Sequence, residues 1–143
     1  TPAFEKRKTD NYHVTLWHVD AIEKTGRAEG WGGTVSAQRY FCDRWLPFAR
    51  YSYAANSVLP IEHLLQGGLG YRVRGHDSVA LGFSYGVPSD PALREQFGLE
   101  AYYRVYVSQA ISLIPGLQMV WNPSRNAEDD QITVFSMRVR FSL

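Results

Sequence analysis

The stretch Gln131–Leu143 reads QITVFSMRVRFSL. From Phe135 onward, apolar and polar residues alternate without a break. Phe135, Met137, Val139, Phe141 and Leu143 are apolar; Ser136, Arg138, Arg140 and Ser142 are polar. This period of two is the signature of a strand with one greasy face and one wet face. Two arginines are too many for a buried core, so the polar face is solvated. A strand of this kind at the end of a chain matches the closing strand of an outer-membrane barrel. An amphipathic edge strand of a soluble sheet would alternate in the same way, so the rest of the chain has to decide.

The chain has 143 residues, the size of a single domain over 1–143. Aromatic residues make up 14%, and the many glycines and prolines suit short strands joined by turns. The formal net charge is +1, which gives no electrostatic case for nucleic acid as a partner. Cys42 is the single cysteine, so an intrachain disulfide and a cysteine-rich metal site are both excluded; it reads as a small buried or turn residue. No run of about 18 apolar residues occurs, so no membrane-spanning helix is expected. That leaves a β-barrel open, because barrel strands are too short and too polar on average to register as hydrophobic spans. The N-terminus TPAFEKRKTD is polar and is no signal peptide. Since a barrel protein must be exported, the chain reads as a mature form or as part of a longer one.

Working back from the closing strand, the same alternation recurs. Residues 1–10 read as a loop or linker. Strands are expected over Asn11–Ala21, Trp31–Phe41, Arg44–Ala55, Leu65–Arg74, Ser78–Gly86, Leu99–Val107 and Ile111–Trp121. Pro47 and Pro115 make two of them irregular. Short connections at Cys42, Gly75 and Gln109 alternate with long ones around Lys24, Leu59, Pro91 and Asn126. The expected fold is therefore all-β: an antiparallel up-and-down transmembrane β-barrel with about eight strands in this chain, its long loops on one side of the membrane and its short turns on the other. Trp17, Trp31, Tyr53, Tyr85 and Trp121 lie beside the long loops. Phe41, Trp45, Tyr106 and Phe141 lie near the short turns. Two such bands match the aromatic girdles at the membrane interfaces.

The polar faces carry the candidate functional residues. Arg50, Arg72, Arg74, Glu100, Arg104, Arg138 and Arg140 fall at alternate positions with Gln118, Tyr102 and Tyr106. Charges facing a wet lumen cost little, whereas charges facing lipid cost several kcal/mol at the midplane. A ring of guanidinium groups favours anions and offers planar donor arrays to sugar hydroxyls, and the two tyrosines offer flat surfaces to sugar rings. Catalytic signatures are missing: there is no nucleophile elbow, no zinc-ligand spacing and no phosphate loop. His13 and His18 fall on opposite faces of one strand and cannot share a metal. His18 and Asp20 share a face and read as a polar pair at the membrane interface. No catalytic residue, metal or cofactor is expected.

Several strings together, NYHVTLWHVD, EGWGG, DRWLPFARYSYA, the GLGY at Gly68–Tyr71, ISLIPGLQMVWNPS and VFSMRVRFSL, resemble the C-terminal half of the carbohydrate-selective porins, the OprB family. The resemblance runs from about Asn11 to the end. It implies a bacterial outer-membrane location and a sixteen-stranded barrel, of which this chain holds about half, passing sugars and other small polar solutes by diffusion. Outer-membrane lipid is then a partner, and the class leaves room for a homo-oligomer. The chain departs from the family pattern in lacking the constricting elements of the N-terminal half and in ending on Leu143, where an aromatic is more usual. The alternative to a porin is a small closed outer-membrane barrel with a packed lumen and a structural or adhesive role, since about eight strands enclose just enough space for side chains to fill.

Overall fold

A computed structural model describes residues 10–21, 29–42, 44–55, 59–73, 75–124, 126 and 128–141. Eight strands follow one another: β1 (Asn11–Val19), β2 (Gly30–Gln38), β3 (Trp45–Ala54), β4 (Ile61–Arg72), β5 (Ser78–Pro88), β6 (Gln96–Tyr106), β7 (Ile111–Trp121) and β8 (Gln131–Phe141). They form one sheet in sequence order, every neighbour antiparallel, and no helix occurs among the described residues. The architecture is the up-and-down sheet that the alternation predicts. The sheet is open: β1 pairs with β2 alone and β8 with β7 alone among the described residues. The closed eight-stranded barrel is therefore not what these residues form.

The register assigns every strand residue to a face, because directly opposed residues point the same way. One face holds the rows Leu69–Leu81–Ala101–Leu117–Phe135 and Phe83–Leu99–Met119. No arginine, lysine, aspartate or glutamate enters these rows. The other face holds Arg50, Arg72, Arg104, Arg138 and Arg140 with Glu100. The apolar face is bare: Phe135 is 81% exposed, Leu16 78% and Phe141 70%. No large side chain is fully buried among the described residues, and the buried apolar set is Ala54, Ala55, Ala80 and Ile114. The chain exposes 10709 Å², against about 7,500 Å² for a soluble folded monomer of this mass. Exposed apolar surface on this scale belongs against lipid or another apolar surface.

The apolar face also carries two aromatic bands. Beside the loops at 55–60, 89–95 and 122–130 lie Trp31, Tyr53, Tyr85, Phe97 and Trp121. Trp31 and Tyr53 have ring centroids 5.3 Å apart, and Phe97 and Trp121 5.7 Å. At the other end Trp45 and Tyr71 sit 4.5 Å apart, with Phe141 in the same band. From Trp45 to Tyr53 is about 26 Å along the strand, or roughly 20 Å once tilted, which covers most of the ~25 Å apolar band of a membrane barrel. Two expected band members belong elsewhere. Trp17 and Tyr106 point to the polar face: Trp17 lies over Gly32, and Tyr106 is opposite Ser112. Closeness to a strand end does not fix the face, whereas parity along the strand does.

Several boundaries differ from expectation. β4 begins at Ile61 and not at Leu65, because a bulge between Ile61 and His63 breaks the period there. β6 begins at Gln96 and β1 stops at Val19. Pro47 lies inside β3; its carbonyl accepts from the Arg39 N–H at 3.2 Å, so its missing N–H also faces β2, where that ladder ends. Pro115 coincides with a gap in the β6–β7 ladder between Tyr102–Gly116 and Val105–Leu113. The connections 39–44 and 55–60 are equal in length, so the long-short alternation is weaker than expected. The ladder does continue to a Phe41–Trp45 bridge, which leaves a tight turn at the exposed Cys42, whose φ is +47°. Most of the expected linker at 1–10, most of the expected loop at 22–30, Arg74 and the last two residues lie outside the described residues.

Two predictions follow from this layout. Leu81→Arg or Leu117→Arg, near mid-strand on the apolar face, lowers unfolding free energy in lipid vesicles by about 2–4 kcal/mol, while Val105→Arg near the strand end costs only ~0–1 kcal/mol. Gln118→Arg on the polar face costs far less than Leu117→Arg; equal losses at 117 and 118 would mean a soluble two-sided sheet. Cys42 is a native reporter of sidedness: membrane-impermeant maleimide leaves it unlabelled in intact cells and labels it after lysis, whereas Asp90→Cys is labelled from outside. Labelling of Cys42 on intact cells would invert the topology.

Candidate functional site

The polar face is the candidate site, and the register lays it out in rows. Arg72, Ser78 and Arg104 are opposed across β4, β5 and β6. Arg104 lies level with Ile114 in the β6–β7 gap, and Ile114 is opposite Arg138, so the row continues to β8. The next row is Gly70, Ala80, Tyr102, Gly116 and Ser136, followed by Gly68, Gly82, Glu100 and Gln118. Arg140 is opposite Ser112, and Arg50 is opposite Ser36 and Gln66. Small residues between large ones leave the long side chains room to lie along the face. Nine of the ten expected site residues thus share one face of the sheet; Arg74 is outside the described set.

The nine do not form one cluster. Arg138 Nη2 donates to Glu100 Oε1 at 3.3 Å, across the strand that carries Gly116. Both side chains are half exposed, so this pair contributes at most about 1 kcal/mol. Among the described residues, Arg50, Arg72, Arg104 and Arg140 have no ion-pair partner. Arg50 lines a cavity of about 300 Å³ with Asn11, His13, Ser36 and Gln38. Arg72, Arg104, Tyr102 and Tyr106 converge on a second cavity, of about 680 Å³, at the short-turn end. Gln118 adjoins Glu100 at mid-height.

Phe48, Arg44, His76 and Tyr40 are among the lining residues that sequence reading did not single out. Phe48 is on the polar face, its ring against Gly68 and Gly82; a Cβ at Gly68 would come within 2.7 Å of its Cε1. Parity with Arg50 was a usable signal, obscured by Pro47 between them and the strand start. Arg44, His76 and Tyr40 join the larger cavity from the turns, where no periodicity exists to place them.

Away from the polar face, His18 Nδ1 is 3.4 Å from Asp20 and its Nε2 3.0 Å from Glu29, an exposed polar group beside the first long loop. No group of three or more His, Cys, Asp or Glu that could hold a metal ion occurs among the described residues. Arg94 ties two loops together: Nη1 donates to Asp130 at 2.7 Å, and Nη2 reaches the Asp129 carbonyl at 3.3 Å. The Tyr85 hydroxyl donates to Glu95 on the same side. The arrangement can present donors and aromatic faces to a polar solute along one wall; at the β1 edge of the same face Thr15 Oγ1 lies 3.2 Å from His13 Nδ1.

Comparison with curated proteins and with solved structures finds no match. A family model described as the carbohydrate-selective porin, OprB family, matches residues 6–143. With one largely apolar face, an arginine-bearing polar face and an up-and-down sheet, the chain belongs to the OprB family of carbohydrate-selective porins.

Proposed function

We propose that this chain forms part of the wall of a channel in the bacterial outer membrane, through which small sugars and other polar solutes pass by diffusion, with the arginine-bearing face lining the lumen. The observation that carries this reading is the segregation of charge: every arginine in the eight strands is on one face, and the opposite face is apolar through its mid-strand rows, with His18, His63, Gln131 and Thr133 toward the long-loop rim. Lipid on one side and water on the other is the environment that sorts side chains in this way. The open edges of β1 and β8 suit pairing with further strands, and a barrel larger than eight strands leaves the lumen open. Arg50, Arg72, Arg104 and Arg140 supply fixed positive charge and donors for sugar hydroxyls, Tyr102 and Tyr106 supply stacking surfaces, and Glu100, Gln118 and Arg138 add polar contacts. Arg74 is assigned to the same face from its sequence position.

Planar-bilayer recording of the intact gene product tests this. The expected result is weak anion selectivity, with current reduced by added glucose. Arg50→Ala together with Arg140→Ala moves the reversal potential toward cations. Cation selectivity in the unsubstituted protein, or no conductance, would overturn the proposal.

A further inference from the structure

The 680 Å³ cavity at the short-turn end has a composition that a route for neutral sugars does not require. Its lining brings together the guanidinium groups of Arg44, Arg72 and Arg104, the imidazole of His76 and the rings of Tyr102 and Tyr106. Among the described residues no aspartate or glutamate lines it. The neighbouring acid, Asp77, is engaged: its Oδ1 accepts from the Tyr106 N–H at 2.9 Å. Arg104 Nε is buried and has no hydrogen-bond partner among the described residues. A buried guanidinium donor left unpaired costs free energy that a ligand acceptor recovers.

The spacing fits a shared ligand. Arg72 and Arg104 stand on β4 and β6 with Ser78 between them, so their backbones are about 10 Å apart. Two arginine side chains across that gap can converge on a group held over the small Ser78 and Ala80. Arg44 comes from the turn at the adjacent edge, where its carbonyl accepts from the Arg72 N–H at 2.8 Å. The volume falls within the ~300–1,000 Å³ range of small-molecule sites and exceeds what a single inorganic ion fills. The tyrosines offer flat faces and hydroxyls to the remainder of the ligand.

We infer that this cavity is a binding site for anionic sugars, a polyhydroxylated body bearing a carboxylate or a phosphate, with Arg72 and Arg104 gripping the anionic group and Tyr102 and Tyr106 holding the ring. Bidentate guanidinium contacts to a carboxylate or phosphate are stronger than contacts to a neutral hydroxyl. The site rests on the channel reading in that it takes the polar face to be the solute's path.

The test is calorimetric titration of the intact protein, purified in detergent at constant chloride, with glucose, gluconate, glucose 6-phosphate and inorganic phosphate. Gluconate or glucose 6-phosphate binds about tenfold more tightly than glucose, the scale of a charge-assisted hydrogen bond. Whichever of the two binds more tightly names the anionic group, and inorganic phosphate binds more weakly than either. Arg72→Gln with Arg104→Gln brings the anionic-to-neutral ratio near one, Arg72→Lys with Arg104→Lys restores part of it, and Arg94→Gln in the remote loops leaves it at its full value. Equal affinities for glucose and the anionic sugars, a ratio that survives in the glutamine double variant while the lysine pair confirms folding, or inorganic phosphate binding as tightly as the sugar anions would each overturn the site. Bilayer recording on the same preparation separates the two readings: selective binding without conductance removes the channel and keeps the site, and conductance without selective binding does the reverse.

Discussion

Hydrocarbon supplies no hydrogen-bond partners, so each backbone N–H and C=O at membrane depth must pair with a neighbouring strand. Seven antiparallel ladders meet that demand from β1 to β8. The prolines sit where the demand is lightest: Pro47 where the β2–β3 ladder frays, Pro115 at the gap in the β6–β7 ladder, and Pro88 at the end of β5. Among the described residues, the strand edges left unpaired are the outer ones of β1 and β8. A row of open backbone groups on an apolar strand is costly in lipid and prone to unwanted pairing in water. In the proposed larger barrel, those two edges are where further strands pair.

The same constraint sorts the side chains. Once the ladder is fixed, each residue's parity sets its solvent, and a one-residue slip would bring Arg138 and Arg140 onto the apolar face. On the polar face the arginines along the row from Arg72 to Arg138 are about 10 Å apart or more, comparable with the ~8 Å screening length at physiological salt, so their repulsion is modest when the face is wet. Glu100 neutralises Arg138 alone. The surplus of positive charge is therefore sustainable, and it is available to solutes. Glycine shapes this wall as much as arginine does. Gly68 and Gly82 let the Phe48 ring lie close to the sheet instead of standing into the lumen.

The fold was legible in the sequence wherever alternation ran uninterrupted. β5, β7 and β8 show it plainly, and so do the faces of Arg50, Arg72, Glu100, Arg104 and Arg138. It became illegible where something else set the geometry. The bulge at Ile61–His63 shifts the period and hid the start of β4. Trp17 read as a girdle residue from its position at a strand end, and Tyr106 read both as a girdle residue and as a polar-face residue, although parity puts both on the polar face. The larger cavity was out of reach because Arg44, Tyr40 and His76 come from turns, and the three-dimensional closure of a turn over a strand leaves no repeat in the sequence. The division of the arginines into a paired Arg138 and unpaired neighbours likewise depends on distances across β7, which one-dimensional spacing does not hold.

The central claim is that the arginine-bearing face of this sheet meets water while the opposite face meets lipid. Single cysteines at Leu99, Glu100, Ala101 and Tyr102 of β6, introduced into a Cys42→Ser form of the intact protein in outer-membrane vesicles, read that claim residue by residue with a charged, water-soluble thiol reagent. The account predicts rapid modification at 100 and 102 and protection at 99 and 101. Modification of 99 and 101 with protection of 100 and 102, or equal rates at all four, would contradict it.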